Sequence, residues 1–434
     1  MEQYISANEP RFFAGTDAET IQNAVNFAAE SPCRTVRIPR LCQRTGAEEW
    51  RLNRAILLPS GITVLLEGCH LILEKGIYDN IFRSKTIFTD IGTTPEGRLE
   101  EIRILGSGNA VLDGGEGNDL REWTSGKDGR PNIRFNNLIL LANVDNYELA
   151  GFSCVNLRWW AINQIGCTHG YLHDLHFFNG THIPNQDGIN LRVGCSFIRI
   201  ENITGRTGDD MVALTALPLW TDGDLLTAGY APDIHDIEIR HIHGSTMQTL
   251  VAMRNNDGAK IYNVHIEDVE DTGEYTPWGV LRIGENNYYR KRLSVLGETY
   301  GIRAEKIRSK SRGTVFLGGT LKDAVIRDVH AGGSSMFAVS TFIPAREAGD
   351  TGIMMLGGVT MENVVFDGVS YNGTAEHCDD ELMNYPGTPF PGCALDFRLM
   401  RETDSLTGVE FHHVHTRDGA PLCIGEGILP LIKA

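Results

Sequence analysis

A short pattern of apolar residues recurs between residues 147 and 414 and constrains the fold more than any other feature of this sequence. Each copy reads apolar, any residue, apolar, two residues of any type, apolar. The eight copies are Tyr147-Leu149-Phe152, Ile198-Ile200-Ile203, Ile237-Ile239-Ile242, Val264-Ile266-Val269, Ile302-Ala304-Ile307, Ala324-Ile326-Val329, Val364-Phe366-Val369 and Val409-Phe411-Val414. The shortest step is 22 residues, from Ile307 to Val329, and a weaker copy at Leu172 and Leu175 divides the first step into 23 and 28.

Strands with alternating apolar residues that recur at this interval are typical of a parallel β-solenoid, because no helical spacing of apolar residues lies between them. In such a fold each turn of the chain, or rung, buries its apolar face against the next rung. The Leu/Asn spacing of a leucine-rich repeat is absent, and a β-sandwich does not require so regular a step. We therefore predict an all-β protein built as a single-stranded right-handed parallel β-helix.

The N-terminal segment has a different pattern, because Thr16 and Glu19 form a capping box at the start of an amphipathic stretch. A helix there would cover the open end of the solenoid core. Its predicted apolar face consists of Ile21, Ala24, Val25 and Ala28. We expect one domain over residues 1–434, with a cap at about 1–35, first strands at 35–39, 55–68 and 70–74, and loop inserts at 218–232, 285–297 and 372–391.

The net charge of −17, from 39 basic and 56 acidic residues, opposes binding to nucleic acid or to an anionic membrane. No apolar run reaches membrane-spanning length, and the first residues, MEQYISANEPRFF, lack the pattern of a signal peptide. We expect a cytoplasmic protein that binds neither nucleic acid nor membrane. The sequence leaves the oligomeric state open.

Nine cysteines without a CxxC pair indicate neither a disulfide framework nor a zinc site. The histidines at 235, 241 and 243 have no carboxylate or cysteine at ligand spacing, which favours solvated strand residues. We predict no metal and no cofactor.

Three carboxylates, Asp187, Asp209 and Asp210, stand where predicted strands begin, although aspartate is a poor strand former. Equivalent positions of neighbouring rungs lie about 4.8 Å apart. The apolar residues align DGINL (187–191), DMVAL (210–214), TLVAM (249–253) and GVLRI (279–283) on successive rungs. This alignment predicts that Asp187 and Asp210 are neighbours and that a bend near Gly188 and Met211 turns the carboxylates outward.

The same alignment places Gln248 and Thr249 one rung beyond the aspartates, Arg282 a few residues further along, and Trp160 on the rung before. Clustered carboxylates suit glycoside hydrolysis, which needs one protonated acid and one ionised base. They also suit a calcium site. Alternatively, each aspartate has a purely structural role and caps a turn.

The NQD motif (185–187), followed one rung later by TGDD (207–210), resembles glycoside hydrolase family 28, the polygalacturonases and related pectin hydrolases. GVLRIG (279–284) is similar to the family's arginine-isoleucine-lysine motif. The resemblance implies that Asp209 is the general acid and that Asp187 and Asp210 activate the attacking water. It further implies inversion at the anomeric carbon, with carboxyl groups about 6.5–9.5 Å apart, and sugar contacts from Asn185 and Arg282.

Two positions depart from the family pattern. Gln248-Thr249-Leu250 stands where the family has glycine-histidine-glycine, and Gly284 stands where its arginine motif has a lysine. The resemblance therefore implies a hydrolase of pectin-derived or related sugars whose recognition of a uronate carboxylate is altered. The expected cytoplasmic setting favours short oligosaccharides as substrates. Trp160 and Trp278 are candidate sugar-stacking residues, and the long inserts favour exo-action.

Two other functions stay open. On a polysaccharide lyase of the same fold, the aspartates would hold calcium beside the substrate, and Arg282 or a lysine would abstract a proton. A non-catalytic carbohydrate-binding solenoid would use the same face without turnover.

Overall fold

The structure is a computed structural model of the chain, and its contacts divide the chain into two compact units. Unit 1 comprises residues 1–209 with 221–231, and unit 2 comprises 210–220 with 232–434. The structure describes residues 4–115, 133–179, 185–219, 223–273, 279–284, 292–311, 313–341, 359–374, 377–378, 388–389, 392–397 and 403–433. The prediction of a single domain stays a prediction.

In its described residues, unit 1 contains one α-helix and fourteen strands. They are β1 (Ile5–Ser6), α1 (Asp17–Glu30), β2 (Thr35–Pro39), β3 (Trp50–Leu52), β4 (Ile56–Leu58), β5 (Thr63–Glu67), β6 (His70–Leu73), β7 (Phe82–Ser84), β8 (Leu99–Asp113), β9 (Ile139–Ala142), β10 (Val144–Val155), β11 (Ile162–Ile165), β12 (Thr168–Phe178), β13 (Ile189–Leu191) and β14 (Ser196–Thr207). Strands β4, β7, β9, β11 and β13 form a short-strand sheet, and the others form a long-strand sheet. The pairings that join these strands are parallel.

Unit 2 repeats the same division. Its strands are β15 (Val212–Ala216), β16 (Ile234–Thr246), β17 (Thr249–Asn255), β18 (Ile261–Asp271), β19 (Gly279–Ile283), β20 (Thr299–Ser309), β21 (Gly313–Leu317), β22 (Gly319–Ala331), β23 (Phe337–Ser340), β24 (Val359–Tyr371), β25 (His377–Cys378), β26 (Thr388–Pro389), β27 (Cys393–Asp396), β28 (Leu406–Thr407), β29 (Glu410–Thr416), β30 (Cys423–Ile424) and β31 (Ile432–Lys433). The odd-numbered strands β15 to β23, with β27 and β30, form its short-strand sheet, β25 and β26 form an antiparallel pair, and the rest form its long-strand sheet.

This architecture confirms the predicted right-handed parallel β-helix. The eight cysteines whose side chains the structure describes are free thiols. Among the described residues, no helix combines the length and the apolar character that crossing a bilayer requires.

The recurring apolar pattern has a backbone cause. Asp236 and His241 both have a left-handed φ of 55°, and they bracket the buried residues Ile237 and Ile239. The left-handed residue at 241 interrupts the alternation of the strand, so Ile242 faces the core three positions after Ile239 instead of two. In unit 2 the same pair recurs at 263 and 268, 301 and 306, 323 and 328, 363 and 368, and 408 and 413.

These left-handed positions form two ladders, because the strands pair in register. Asparagine, aspartate and glycine fill most of them, as expected for residues that tolerate this conformation. In unit 2, Asn263 donates to Asp236 Oδ1 at 3.3 Å, and Asn363 donates to Asp323 Oδ1 at 3.1 Å. The left-handed positions of neighbouring rungs are therefore also joined by hydrogen bonds between side chains.

The weak copy of the repeat at Leu172 has a glycine at its first apolar position. Gly170 pairs with Tyr147 on the neighbouring strand, and a Cβ at 170 would overlap the Tyr147 ring. The large ring of one rung thus occupies the space that the next rung leaves empty, which explains why Gly170 breaks the pattern.

The N-terminal helix begins as predicted. Thr16 is its N-cap, and its hydroxyl accepts a hydrogen bond from Glu19 N at 3.2 Å. The predicted apolar face is fully buried, and the helix packs on β2, β3 and β4. The pairing of strands starts earlier than predicted, because β1 already pairs with β2 inside the segment assigned to the cap.

The pair β6–β8 brings together a histidine and a buried aspartate. His70 Nε2 donates to Asp113 Oδ2 at 2.8 Å, and this hydrogen bond raises the pKa of His70. The pKa of His70 in the folded protein exceeds the value of about 6.5 in the unfolded chain. The pair of His70 and Asp113 therefore makes its full contribution to the free energy of unfolding below that pH. This contribution is lost as pH rises through the folded pKa.

We expect the difference in the free energy of unfolding between wild type and His70→Gln, measured by urea titration, to shrink as pH rises from about 6 to 8. Between these pH values, that difference in the free energy of unfolding should change by less than about 1 kcal/mol, because His70 is partly exposed. A difference that is constant across this range would show that the charge of His70 has no role.

Candidate functional site

Within unit 1, the NQD motif contacts the part of the TGDD motif that ends at Asp209. Asn185 N donates to Asp209 Oδ2 at 2.6 Å, and Gly208 N and Asp209 N donate to Gln186 O at 3.1 and 3.3 Å. Asn185 has a left-handed φ of 68°, which turns the chain at the start of the NQD motif. Asp209 thus lies against the NQD segment.

Asp187 lies just before β13 and is 4% exposed. Its Oδ2 accepts a hydrogen bond from Asn190 Nδ2 at 3.0 Å, and its main-chain oxygen accepts from Ala161 N at 2.9 Å. The pairing of β11 with β13 places Trp160 beside Asp187 on the preceding rung, as the sequence alignment predicted.

The indole of Trp160 is only 2% exposed. The guanidinium of Arg192, itself 1% exposed, lies over the ring at 4.7 Å from its centroid. One face of the indole is therefore already covered by a cation. Sugar stacking on Trp160 stays a prediction, and it would have to use the opposite face or the ring edge. Trp278 lies outside the described residues.

Asp210 belongs to unit 2, where its carboxylate is fully buried. Oδ1 accepts a hydrogen bond from Thr249 N at 3.1 Å, and Oδ2 forms an ion pair with Arg254 Nη2 at 2.7 Å. We predicted that the carboxylates turn outward, yet Asp187 and Asp210 have almost no exposure. Hydrogen-bond donors and, for Asp210, a cation compensate for the lost hydration. Asp209 is half-buried.

The other predicted substrate contacts of unit 2 lie in the expected register. The pairing of β15 with β17 places Thr249 beside Asp210 on the next rung. The pairing of β17 with β19 places Arg282 beside Ala252. Thr249 is fully buried, Arg282 is 3% exposed, and Gln248 is half-buried with its N–H donated to Thr246 Oγ1.

The missing lysine of the arginine motif has a structural explanation. Gly284 has a left-handed φ of 75°, and a Cβ at this position would overlap the main-chain oxygen of Gly318. No side chain fits there without moving the backbone. The departure from the family pattern is therefore part of the local fold.

Sequence reasoning missed Arg254, the partner of Asp210. It follows the apolar run TLVAM inside β17, and about one-fifth of its side chain is exposed. A charged residue directly after a buried apolar run needs a partner, and this was the available signal. Its effect is to hold a carboxylate of the TGDD motif in a buried position.

A group of side chains on β18 and β20, apart from the motifs, offers ligand atoms within 4.8 Å of one another: His265, Glu267 and Glu305. Glu267 already forms an ion pair with Lys306 at 2.6 Å, and its pKa is lowered chiefly by that hydrogen bond. A lysine ammonium in contact with the carboxylate opposes a bound cation. The histidines at 241 and 243, predicted to be solvated, both contact Asp268.

Comparison with protein families gives one match. Residues 94–218, which include both aspartate motifs, match the family described as Glycosyl hydrolases family 28. The resemblance drawn from the motifs is therefore confirmed over this segment. No curated protein matches the chain.

Several solved structures share the fold. The surface adhesin PfbA of Streptococcus pneumoniae matches with a TM-score of 0.54 and 12% identity, over 97% of this chain and 91% of the adhesin. A polygalacturonase from Erwinia carotovora ssp. carotovora matches with a TM-score of 0.51 and 14% identity, over 97% and 95% of the two chains. The tailspike protein of E. coli bacteriophage HK620, solved with a pentasaccharide, matches with a TM-score of 0.51 and 12% identity, over 97% and 78%.

Proposed function

We propose that this chain, whose residues 94–218 match family 28 of the glycosyl hydrolases, is a glycoside hydrolase that cleaves short pectin-derived or related oligosaccharides with inversion. The proposal rests on the two motifs together. Either motif alone is a common arrangement of turn residues, whereas their combination inside a parallel β-helix matches the family.

One observation carries the proposal: the direct contact between NQD and TGDD. The hydrogen bond from Asn185 N to Asp209 Oδ2 places a half-buried carboxylate against the segment that bears a second, buried carboxylate, Asp187. An aspartate that only caps its own turn does not require this contact with the neighbouring rung. Glycoside hydrolysis needs an acid and a base whose environments differ.

The roles follow from the motifs. Asp209 protonates the glycosidic oxygen as the bond to the anomeric carbon breaks, and Asp187 and Asp210 hold and deprotonate the water that attacks from the opposite face. Asn190 fixes the carboxylate of Asp187 through its 3.0 Å hydrogen bond, and Arg254 fixes that of Asp210. Fixed carboxylates lose little freedom when the substrate binds.

The substrate side of the proposal is shaped by the two departures from the family. Thr249 replaces the histidine, and the backbone at Gly284 excludes a lysine. Arg282 remains as a group able to bind a sugar carboxylate. We propose that the bound sugar next to the cleaved bond is neutral or makes fewer charged contacts than a galacturonate, with Asn185, Gln248 and Thr249 as further contacts.

The test is hydrolysis of a panel of uronic and neutral oligosaccharides by wild type and Asp209→Asn. Appearance of a saturated reducing end with wild type, lost in the variant and unaffected by a chelator, supports the hydrolase and names the sugar class. An unsaturated product that absorbs in the ultraviolet and disappears with chelator identifies a lyase instead. Binding without any turnover identifies a carbohydrate-binding solenoid.

A further inference from the structure

Strand β8 of unit 1 carries extra residues that its neighbour β10 does not match. The two strands pair in register up to Leu105 and resume at Ala110, whereas β10 advances by the single residue Gly151 between the same two pairs. Residues 106–109 of β8 therefore stand opposite one residue. Bulges bend a strand and are frequent next to active sites.

The bulge forms one wall of a cavity of about 540 Å³. Gly68 and Gly108 line this cavity, and both have a left-handed φ, of 58° and 60°. A Cβ on Gly68 would lie 2.8 Å from Gly108 O, so this part of the wall is bare backbone. The volume falls within the range of about 300–1,000 Å³ that small-molecule sites occupy.

His70 is held in the wall of the same cavity by a buried carboxylate. Its Nε2 bonds to Asp113 Oδ2, while Asp113 Oδ1 accepts hydrogen bonds from Asn156 Nδ2 at 2.9 Å and from Gly115 N at 2.7 Å. The ring is thus fixed by a group that is itself fixed. Within the part of the chain that the structure describes, Nδ1 of His70 has no partner, so this nitrogen is left for a ligand.

Asn109, the last residue of the bulge, is a second polar group that the fold does not use. It has a left-handed φ of 63° and is exposed, and its side-chain amide makes no hydrogen bond to any residue that the structure describes. The amide lines the cavity and offers a ligand both donors and an acceptor.

The charged side chains of the lining come from the connection between β2 and β3. They are Arg40, Glu48 and Glu49. Arg40 and Glu48 form an exposed ion pair at 2.8 Å, and Glu49 contacts Arg51 at 2.5 Å. The two carboxylates oppose an anionic ligand, and the guanidinium of Arg40 opposes a cationic one. The cavity therefore combines donors and acceptors without favouring a charged ligand.

A sugar hydroxyl both donates and accepts hydrogen bonds, so it matches carboxylates, a guanidinium, an amide and either protonation state of His70. An apolar ligand would leave these groups without partners. We propose that the cavity binds a neutral sugar, as a second carbohydrate site whose lining shares no residue with the aspartate motifs. This site does not require turnover at Asp209.

The test is calorimetric titration with the neutral disaccharides maltose, cellobiose, lactose and galactobiose, in the Asp209→Asn background so that no sugar is consumed. Two further substitutions address the cavity. Ala47→Trp places a large side chain at a half-buried position of the lining. Asn109→Gly removes the amide, and glycine keeps the left-handed backbone.

For the disaccharide that binds most tightly, we expect Ala47→Trp to abolish binding to the cavity and Asn109→Gly to raise Kd about fivefold. Asn146→Gly is the matched control, because Asn146 is an exposed asparagine of unit 1 with a left-handed φ of 53° outside the cavity. Its Kd should equal that of the parent protein. Should Ala47→Trp fail to fold, Asn109→Gly and its control decide the question.

Digalacturonate and the dication putrescine test the chemical class of the ligand. Tighter binding of either probe than of the neutral sugars, with the same response to the cavity variants, overturns the proposal. It is also overturned if no neutral disaccharide binds, or if Kd is unchanged in the folded cavity variants. Binding that responds to these variants in a protein without turnover keeps this site and refutes the proposed function. Turnover without such binding refutes this site alone.

Discussion

Asp209→Asn is expected to lower kcat by about 10²–10⁴-fold, because an amide cannot supply the proton that the leaving oxygen needs. The fold should be retained. The amide oxygen of asparagine can still accept the hydrogen bond from Asn185 N that now reaches Asp209 Oδ2. The measurement is initial rate against substrate concentration, with unfolding in urea as the check on stability.

Asp418→Asn removes a carboxylate from an exposed position and serves as the matched control; its kcat should equal that of wild type. Substrates with a good leaving group add a further comparison, because they depend less on protonation and should recover part of the lost rate. If Asp209→Asn keeps more than about a tenth of wild-type kcat on all substrates, Asp209 is not the general acid.

Arg254→Met is expected to lower the free energy of unfolding by about 3 kcal/mol. The substitution keeps an unbranched apolar stem but removes the charge that lies 2.7 Å from the buried carboxylate of Asp210. An uncompensated buried carboxylate is strongly unfavourable. The measurement is urea unfolding near neutral pH.

The double variant Arg254→Met/Asp210→Asn should regain a large part of that stability, because both members of the pair are then neutral. It should not regain activity, since Asp210 is a proposed base. Lys310→Met is the control for an exposed pair: Lys310 contacts Glu270 at 2.7 Å and is more than half exposed. Its removal should change stability by less than about 1 kcal/mol. Equal losses in Arg254→Met and Lys310→Met would contradict the role given to burial.

The solenoid was predictable because its signal is local and repeated. Residues such as Ile237, Ile239 and Ile242 mark each rung by themselves, and eight copies leave few competing folds. The backbone cause of the three-residue step was not visible, since histidine, lysine and phenylalanine occupy some left-handed positions beside the expected asparagine and aspartate. Tertiary pairing overrides the local preference of these residues.

The candidate site was predictable to the level of register but not to the level of side-chain partners. Aligning TLVAM with DMVAL placed Thr249 beside Asp210 correctly. The alignment held no information about Arg192 over Trp160 or Arg254 against Asp210, because both arginines come from outside the aligned positions.

The two ladders of left-handed residues have a consequence for how this chain tolerates change in length. In every described pair, from 146 and 151 to 408 and 413, the two members are five positions apart. Adding or deleting one residue between them would turn the inward side chains outward on that rung. The number of residues in a rung can vary only outside the segment between the two left-handed residues, where rungs differ by whole loops. Engineered insertions, such as an epitope or a partner domain, should therefore be accepted after the second ladder and rejected between the two.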